Sequence, residues 1–398
     1  MIPYVYVFLL ATMLVVLYFA GIGLKRNGGK IISTPGIAAV AVYTLNLGLR
    51  FGRGIDYNLY WNLYDNISKY GESDKEVTFT FFVKSLSSIG LPYQGLVLIE
   101  SFMFILGLLF LLRNYPRLLP YALPLFAFFS LGEVENMIRW YLGFSFVLIG
   151  LSYLLNDNKK IYFLISCIGC LFHFGLLPVP LLFFFIYLLK KPILHPFVSI
   201  PLFFVIGLFF QTSFMLRFVD LFNVFAIISE RSVTYASDAQ YWLTSGFQGN
   251  YRNAFPGKIT VAFLLLIVWC GYKCLDKSDH KVVFIYNLFL VGFIFRPIAN
   301  LIELVIRYDD LFFFFRAVVC ATILYRSLNK NQLRTMIRMA FLIFLLNALY
   351  GGFKRPFTYP KLCMYIWDKG TLDSETMKQI WLDVNYKSSQ KQFHNKNL

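Results

Sequence analysis

Apolar runs about as long as a membrane-crossing helix recur along almost the whole chain, separated by short charged stretches. Charged residues make up 15% of the sequence, whereas soluble domains carry about 25%. A soluble core built from 398 residues could not hide 45 Phe side chains. We therefore predict an all-α polytopic integral membrane protein, with a single transmembrane helical domain over residues 1–350 and a polar C-terminal tail over 351–398.

The apolar runs predict about twelve transmembrane helices, within a range of roughly 11 to 13. The predicted spans lie at about 2–24, 31–49, 93–112, 118–131, 140–155, 161–189 (two short helices or a re-entrant pair), 193–210, 259–274, 282–295, 302–325 and 339–350. Lys25, Arg26 and Lys30 follow the first run, so that loop is predicted to be cytoplasmic and the N-terminus to lie outside. Two large polar segments, about 50–92 and 211–258, are then extracytoplasmic.

The chain carries a formal charge of +16. Many of its arginines are predicted to lie on the outer side of the membrane, where the positive-inside rule predicts few. Those predicted at outer helix ends or in outer loops are Arg50, Arg53, Arg139, Arg217, Arg231, Arg252, Arg296 and Arg307. Guanidinium groups bind phosphates bidentately and stay charged when partly desolvated. The arginines indicate an outward-facing ligand that carries phosphate, such as a pyrophosphate-linked lipid. The alternative is that each arginine forms a structural ion pair with a nearby acid.

The segment Gly48–Tyr60 is the richest candidate site, at the predicted outer end of the second span. Its glycines allow close approach of the backbone to a ligand, and its arginines can contact phosphate. Asp56 supplies a carboxylate, and Tyr57 and Tyr60 offer faces on which a sugar could stack. A glycine-rich helix exit with interfacial tyrosines would explain the two tyrosines, but not the charged residues beside them.

Further acidic residues and one histidine lie near other outer helix ends. Glu76 precedes a stretch that is typical of an interfacial helix leading into the third span. Glu135 and Arg139 are four residues apart, which would place them on one face of a continuous helix as an ion pair. His173 is either a core histidine or a proton carrier that faces a cavity.

The sequence lacks the motifs that mark several functional classes of protein. The chain contains no nucleotide-binding glycine loop, no Walker motif and no soluble catalytic domain between the spans. Cys167 and Cys170 have the spacing of a metal site, but no second pair completes one, and the six cysteines are interpreted as packing residues. No Asp-x-Asp pair lies in an outer loop. We predict no metal, no cofactor and no nucleic-acid partner.

Five short motifs, in this order over about residues 40–350, resemble the EpsG family of Wzy-type polysaccharide polymerases. They are Gly48-Leu-Arg50 with Gly54-x-Asp56-Tyr57-x-x-Tyr60, then Glu76-x-x-Phe79, Asn136-x-Ile-Arg139, Phe172-His173 and Glu303-x-x-x-Arg307. Trp140 and Tyr141 follow the third motif, where the family often has a small or Gln-type residue.

The resemblance implies a membrane glycosyltransferase of GT-C-like architecture in the bacterial cytoplasmic membrane, with its active site facing the periplasm or outside. Because the outer loops lack an Asp-x-Asp pair, we predict that its reaction is metal-independent. Such an enzyme transfers a growing glycan from undecaprenyl diphosphate to the non-reducing end of the next lipid-linked repeat unit, making O-antigen, capsule or exopolysaccharide. The implied partners are this lipid-linked oligosaccharide, membrane lipid, a chain-length regulator and a flippase. A lipid-linked oligosaccharide flippase and an O-antigen-ligase-like glycan transferase are the alternatives.

The resemblance and the residue chemistry together assign roles to the candidate residues. Asp56 is the first candidate for the general base, followed by Glu76 and His173, because the acceptor hydroxyl must lose a proton. Residues assigned to the pyrophosphate are Arg50, Arg53, Arg139 and Arg307, and those assigned to the glycan are Tyr57, Tyr60, Asn136 and Glu303.

Overall fold

A computed structural model describes most of the chain. The described residues are 2–54, 56–71, 73, 75–210, 257–300, 303–329, 333–358 and 363–371. The predicted outer segment 211–258 therefore lies almost wholly outside them, together with Arg217, Arg231 and Arg252. The chain divides into two compact units, one formed by Met1–Phe185 with Leu349–Leu398 and the other by Ile186–Ala348.

The first unit is helical, with one small sheet. Its elements are α1 (Ile2–Arg26), α2 (Thr34–Gly48), β1 (Arg50–Phe51), α3 (Tyr57–Tyr70), α4 (Val77–Ser88), α5 (Tyr93–Leu112), α6 (Leu119–Asn136), α7 (Ile138–Leu154), α8 (Lys159–Phe172), a 3₁₀ turn (Phe174–Leu176), α9 (Pro178–Leu188), β2 (Met364–Tyr365) and a 3₁₀ segment (Ile366–Thr371). Helix α9 continues into the second unit.

The described part of the second unit is also helical. Its elements are α10 (Pro196–Phe209), α11 (Lys258–Cys274), α12 (His280–Ala299), α13 (Glu303–Phe313), α14 (Arg316–Asn329) and α15 (Thr335–Thr358), whose last turns belong to the first unit. The Phe203 and Phe293 rings stack with centroids 4.6 Å apart between α10 and α12. Asn287 donates to the carbonyl of Lys191 at 3.0 Å and accepts from the amide of Ile193, so its buried amide is satisfied.

Among the described residues, five helical stretches are long and apolar enough to cross a membrane. They are Ile2–Arg26, Tyr93–Leu112, His280–Ala299, Val305–Leu328 and Thr335–Thr358. Ile138–Leu154, Phe174–Leu188 and Pro196–Phe209 are shorter apolar helices. The chain thus has the character of a helical membrane protein, while the count of about twelve spans remains a prediction.

Helices α7 and α8 pack closely because small residues face each other where they meet. A Cβ atom on Gly143 would collide with the carbonyl oxygen of Gly169, and one on Gly169 with the carbonyl oxygen of Gly143. Paired glycines of this kind let two backbones approach in a bilayer, where helices gain little from hydrophobic burial against one another.

The predicted outer segment 50–92 contains two amphipathic helices. Along α3, Tyr57, Tyr60, Tyr64 and Ile67 form one buried stripe with helical spacing. Helix α4 confirms the helix expected after Glu76, although Ile89–Pro92 separates it from α5. The buried faces of α3 and α4 join one cluster with Phe51 and Tyr93.

The small sheet ties the C-terminal region to the loop between α2 and α3. Strands β1 and β2 are antiparallel, with Arg50 opposite Tyr365 and Phe51 opposite Met364. The amide of Ile366 donates to the carbonyl of Leu49 at 3.0 Å. Residues that the sequence placed in the start of the tail are therefore folded onto the richest candidate segment.

Candidate functional site

The candidate site of the first unit is organised by a one-residue break between α6 and α7. Met137 leaves helical geometry, with φ −111° and ψ 65°, so α6 ends at Asn136 and α7 begins at Ile138. Because the break reorients the chain, Glu135, Asn136 and Arg139 contact three different segments.

Glu135 bridges two guanidinium groups from distant parts of the chain. Its Oε1 accepts from Nη2 of Arg53, and its Oε2 accepts from Nη1 of Arg355 at 3.2 Å. The Arg53 and Glu135 side chains are 1% and 0% exposed, whereas Arg355 is 29% exposed. One buried carboxylate therefore fixes the positions of two cations.

Arg53 is also held between aromatic rings. Its guanidinium carbon lies 4.8 Å from the centre of the Tyr6 ring and 5.1 Å from that of Tyr365, distances at which a cation is attracted to a ring face. Burial opposes its charge, but the neighbouring groups, first among them the Glu135 carboxylate, together outweigh this effect and the pKa of Arg53 is raised. Arg53 is therefore a fixed positive charge in this loop.

Gly54 lets the loop reach the end of α6. Its φ is +95°, and a Cβ atom there would collide with the carbonyl oxygen of Glu135. The next described residue, Asp56, donates its backbone N–H to Oδ1 of Asn136 at 2.9 Å. Asp56 is thus placed at the start of α3, beside the α6–α7 break, with its side chain half-buried.

A second charged cluster forms around Glu76, at the start of α4. Oε2 of Glu76 accepts from Nη1 of Arg139, and Oε1 accepts from the backbone N–H of Phe174 at 3.2 Å. Nδ1 of His173 lies 3.9 Å from Oε1 of Glu76. Helix α7 and the break after α8 therefore meet at one carboxylate.

The His173 ring is oriented by its own turn. Nδ1 accepts from the backbone N–H of Gly175 at 3.1 Å, and the ring stands edge-on to Trp140 with centroids 4.8 Å apart. Since Nδ1 acts as an acceptor, we assign the proton of the neutral ring to Nε2. In this tautomer Nε2 of His173 is a hydrogen-bond donor.

The structure thus connects most of the predicted site. The sequence-predicted residues that it links directly or through the α6–α7 break are Arg53, Asp56, Glu76, Asn136, Arg139 and His173. The ion pair expected between Glu135 and Arg139 is not formed: Glu135 binds Arg53 and Arg355, and Arg139 binds Glu76. The break at Met137 explains this, because the two residues no longer share a continuous helix.

Arg50 lies in the interior rather than at a rim. Nη2 donates to Oε2 of Glu100 at 3.2 Å, and Nη1 donates to Oγ of Ser101 and to the carbonyl of Leu47. The Arg50 and Glu100 side chains are both 0% exposed. Arg50 therefore fixes the α2–α3 loop through these contacts, and its predicted contact with a lipid diphosphate stays a prediction.

Tyr57 and Tyr60 do not offer exposed faces for sugar stacking. Both are buried in the cluster beneath α3, where the Tyr57 ring meets Tyr93 edge-on with centroids 5.1 Å apart. Oη of Tyr57 donates to Oε1 of Gln94 at 3.3 Å. The helical stripe of α3 turns these rings inward, and the predicted glycan role of the two tyrosines stays a prediction.

Arg307 and Glu303 belong to the second unit. Both lie in α13, Arg307 is half-buried, and the side chain of Glu303 lies outside the described residues. Their predicted roles in binding the pyrophosphate and the glycan therefore stay predictions. In the same unit Arg296 donates to Asp309 at 2.8 Å and to Asp310 at 2.6 Å.

Sequence reasoning missed Glu100, Arg355 and Tyr365. An acid within the apolar run of α5 was a signal, since ionisable residues inside spans usually have a partner. Nothing local distinguished Arg355 or Tyr365. Among the described residues no three His, Cys, Asp or Glu side chains cluster as metal ligands would, and metal independence remains a prediction.

Comparison with known proteins identifies a family for this chain. The sequence model of the EpsG family matches residues 34–357, more than half of the chain. Searches of curated proteins and of solved structures gave no match. The matched range contains the α2–α3 loop, the α6–α7 break, His173 and Arg355. On this match, the chain belongs to the EpsG family.

Proposed function

We propose that this protein polymerises lipid-linked oligosaccharide repeat units. It transfers the growing glycan from undecaprenyl diphosphate to the non-reducing end of an incoming lipid-linked unit, on the outer face of the bacterial cytoplasmic membrane. Membership of the EpsG family suggests a polysaccharide-polymerase type of role. About twelve spans, a GT-C-like architecture and a metal-independent reaction belong to the same proposal.

The observation that carries the proposal is the convergence of charged side chains at the α6–α7 break. Arg53 comes from the α2–α3 loop, Arg139 from α7 and Arg355 from the end of α15, and each contacts a buried or nearly buried carboxylate. Such pairs hold guanidinium groups in fixed orientations before a ligand arrives. Preorganised cations of this kind stabilise charge that develops in a transition state.

Arg139 has donor capacity beyond its ion pair. Its Nη1 binds Glu76, while its buried Nε has no hydrogen-bond partner among the described residues. Buried polar groups are normally satisfied, so this atom is a candidate contact for a phosphate oxygen. The side chain lies at the second residue of α7, a helix end whose N–H groups also favour anions.

The proposed reaction is a glycosyl transfer without a nucleotide sugar. The acceptor hydroxyl oxygen bonds to the anomeric carbon as the bond between that carbon and the diphosphate oxygen breaks. The electron pair leaves with the lipid diphosphate, whose charge Arg53 and Arg139 stabilise. The hydroxyl proton passes to Asp56.

Asp56 is the preferred base because its backbone is fixed by Asn136 next to the arginine-bearing loop. Glu76 already accepts hydrogen bonds at both oxygens, and Nδ1 of His173 accepts one from Gly175. Glu76 is therefore better suited to hold Arg139, and His173 to orient the acceptor. They remain the alternative bases in the proposal.

A deletion strain complemented with variants tests the proposed function. Wild-type protein should restore long glycan chains, whereas the deletion strain should display single repeat units. Glu76→Gln and Arg139→Gln should each reduce chain elongation by about 100-fold or more at equal protein levels. Asp65→Asn is the matched control, since Asp65 forms an exposed pair with Lys69 on α3.

The alternatives predict different phenotypes. A flippase would be indicated if the deletion strain lost all surface glycan, and a ligase-like transferase if chains were elongated but not attached to their final acceptor. Normal chain length in the Arg139→Gln strain would contradict the assignment of the site.

A further inference from the structure

We propose that the C-terminal region completes the diphosphate site, with Arg355 as a further diphosphate-binding residue and Tyr365 as a positioning residue for Arg53. This inference rests on the proposed function and extends it to a region predicted from sequence to be a polar tail. The site is then assembled from the α2–α3 loop, the α6–α7 break and the end of the chain's last described helix.

The shared carboxylate is the first argument. Glu135 uses one oxygen for Arg53 and the other for Arg355, so it sets the separation of two guanidinium groups. A diphosphate carries two adjacent phosphoryl groups, and each can be bound by a planar guanidinium. Two cations at a fixed separation match this chemistry better than they match a monophosphate.

Exposure distinguishes the two cations. Arg53 is buried, whereas Arg355 is 29% exposed. Arg355 can therefore meet an incoming headgroup without displacing the aromatic rings that enclose Arg53. Arg355 is the more accessible member of the pair and is suited to the first contact with the ligand.

The small sheet is the second argument. Oη of Tyr365 donates to Oδ1 of Asn46 at 3.3 Å, and its ring lies against the guanidinium of Arg53. Pairing of β2 with β1 fixes the residues immediately before Gly52 and Arg53. Strand β2 lies beyond residue 357, where the family match ends, so this support is a feature of the chain outside the matched region.

Lipid binding by the purified full-length protein in detergent tests the proposal. The probes are a polyprenyl diphosphate and the corresponding polyprenyl monophosphate, measured by ligand-induced thermal stabilisation. Arg355→Gln should weaken diphosphate binding by about 10- to 100-fold, the effect of losing a hydrogen bond to a charged group. Monophosphate binding should change much less. Lys354→Gln, an exposed neighbouring cation, is the control and should bind like wild type.

A second variant covers the case in which Arg355→Gln fails to fold. Arg355→Lys keeps the attraction to Glu135 but loses the planar fork, so it should fold and still bind the diphosphate about tenfold more weakly. Tyr365→Leu should weaken diphosphate binding, whereas Tyr365→Phe, which keeps the ring against Arg53, should bind more tightly than Tyr365→Leu. Equal affinities of these two variants would contradict the positioning role of the ring. Wild-type diphosphate affinity in the folded Arg355 variants would overturn the inference.

The outcomes separate this inference from the proposed function. If Arg53→Gln loses diphosphate binding while the Arg355 variants keep it, the C-terminal inference fails and the polymerase proposal stands. If wild-type protein binds the diphosphate but does not lengthen a glycan, the polymerase proposal fails.

Discussion

Removal of the Glu135 carboxylate should destabilise the protein strongly, because Glu135→Gln leaves the Arg53 cation buried without a counter-charge. Arg53 and Glu135 are 1% and 0% exposed. Breaking a buried ion pair by removing one partner costs about 3 to 5 kcal/mol. The glutamine can still accept one hydrogen bond, so we expect a loss of about 3 kcal/mol in the free energy of unfolding, at the lower end of that range.

A double-mutant cycle separates the ion pair from other effects. Arg53→Gln alone should cost less than Glu135→Gln, since it leaves the carboxylate with Arg355 as its partner. The double variant should cost less than the sum of the two single variants, by about 2 kcal/mol. Unfolding in dodecyl maltoside micelles titrated with sodium dodecyl sulfate provides the free energies.

Asp65→Asn provides the matched control for this cycle. Asp65 and Lys69 form an exposed pair four residues apart, with side chains 48% and 60% exposed, and such pairs contribute little to stability. The control should show no measurable loss. A Glu135→Gln variant as stable as Asp65→Asn, together with additive single effects, would refute the buried bridge.

Three further predictions concern other parts of the chain. Gly54→Ala should lower the free energy of unfolding by about 1 to 3 kcal/mol, measured in the same titration, and should reduce the yield of folded protein. The residue has φ +95°, and its new Cβ would collide with the carbonyl oxygen of Glu135. Tyr60→Phe should leave glycan chain length unchanged, because it keeps the ring that packs in the buried cluster beneath α3; shortened chains on a gel would contradict this. Hydrogen bonds from Ser278 and then Arg326 lower the pKa of Asp276 from 3.8 to about 2, so its contribution to stability is present above about pH 4 and is lost as the pH falls towards 2. Asp276→Asn should remove this small component of the pH dependence of unfolding.

Much of the fold could be predicted because proline or charged residues mark the ends of the long apolar runs. Helix α5 occupies the predicted span Tyr93–Leu112, between Pro92 and Arg113. Helix α2 begins a few residues later than expected, at Thr34, because Pro35 favours the first turn of a helix. The stretch 161–189 is two short helices, α8 and α9, separated by a break at His173.

The partners of the charged residues could not be predicted from local spacing. The expected pair of Glu135 with Arg139 assumed a continuous helix, whereas Met137 interrupts it. The arginines of the first unit's candidate site instead pair with carboxylates far along the chain, such as Arg50 with Glu100 and Arg139 with Glu76. Such contacts depend on tertiary packing, which residue spacing does not encode.

The contacts of the C-terminal region could not be predicted either, because they leave no local pattern in the sequence. Strands β1 and β2 have two residues each, too few to show the alternation that marks a strand. Arg355 and Tyr365 lie in a stretch without a long apolar run, so sequence reasoning placed them in a polar tail. Their contacts with Glu135 and Asn46 place them beside the candidate site.

Reconstitution of the purified protein in liposomes tests the central claim most directly. The substrate is a polyprenyl-diphosphate-linked oligosaccharide, and the product is resolved by length. Wild-type protein should convert single units into a ladder of longer lipid-linked chains without a nucleotide sugar. Arg139→Gln should produce almost no ladder, while Asp65→Asn produces a normal one. Active liposomes in which wild-type and Arg139→Gln proteins give the same ladder, or in which wild-type protein gives none, would contradict the account.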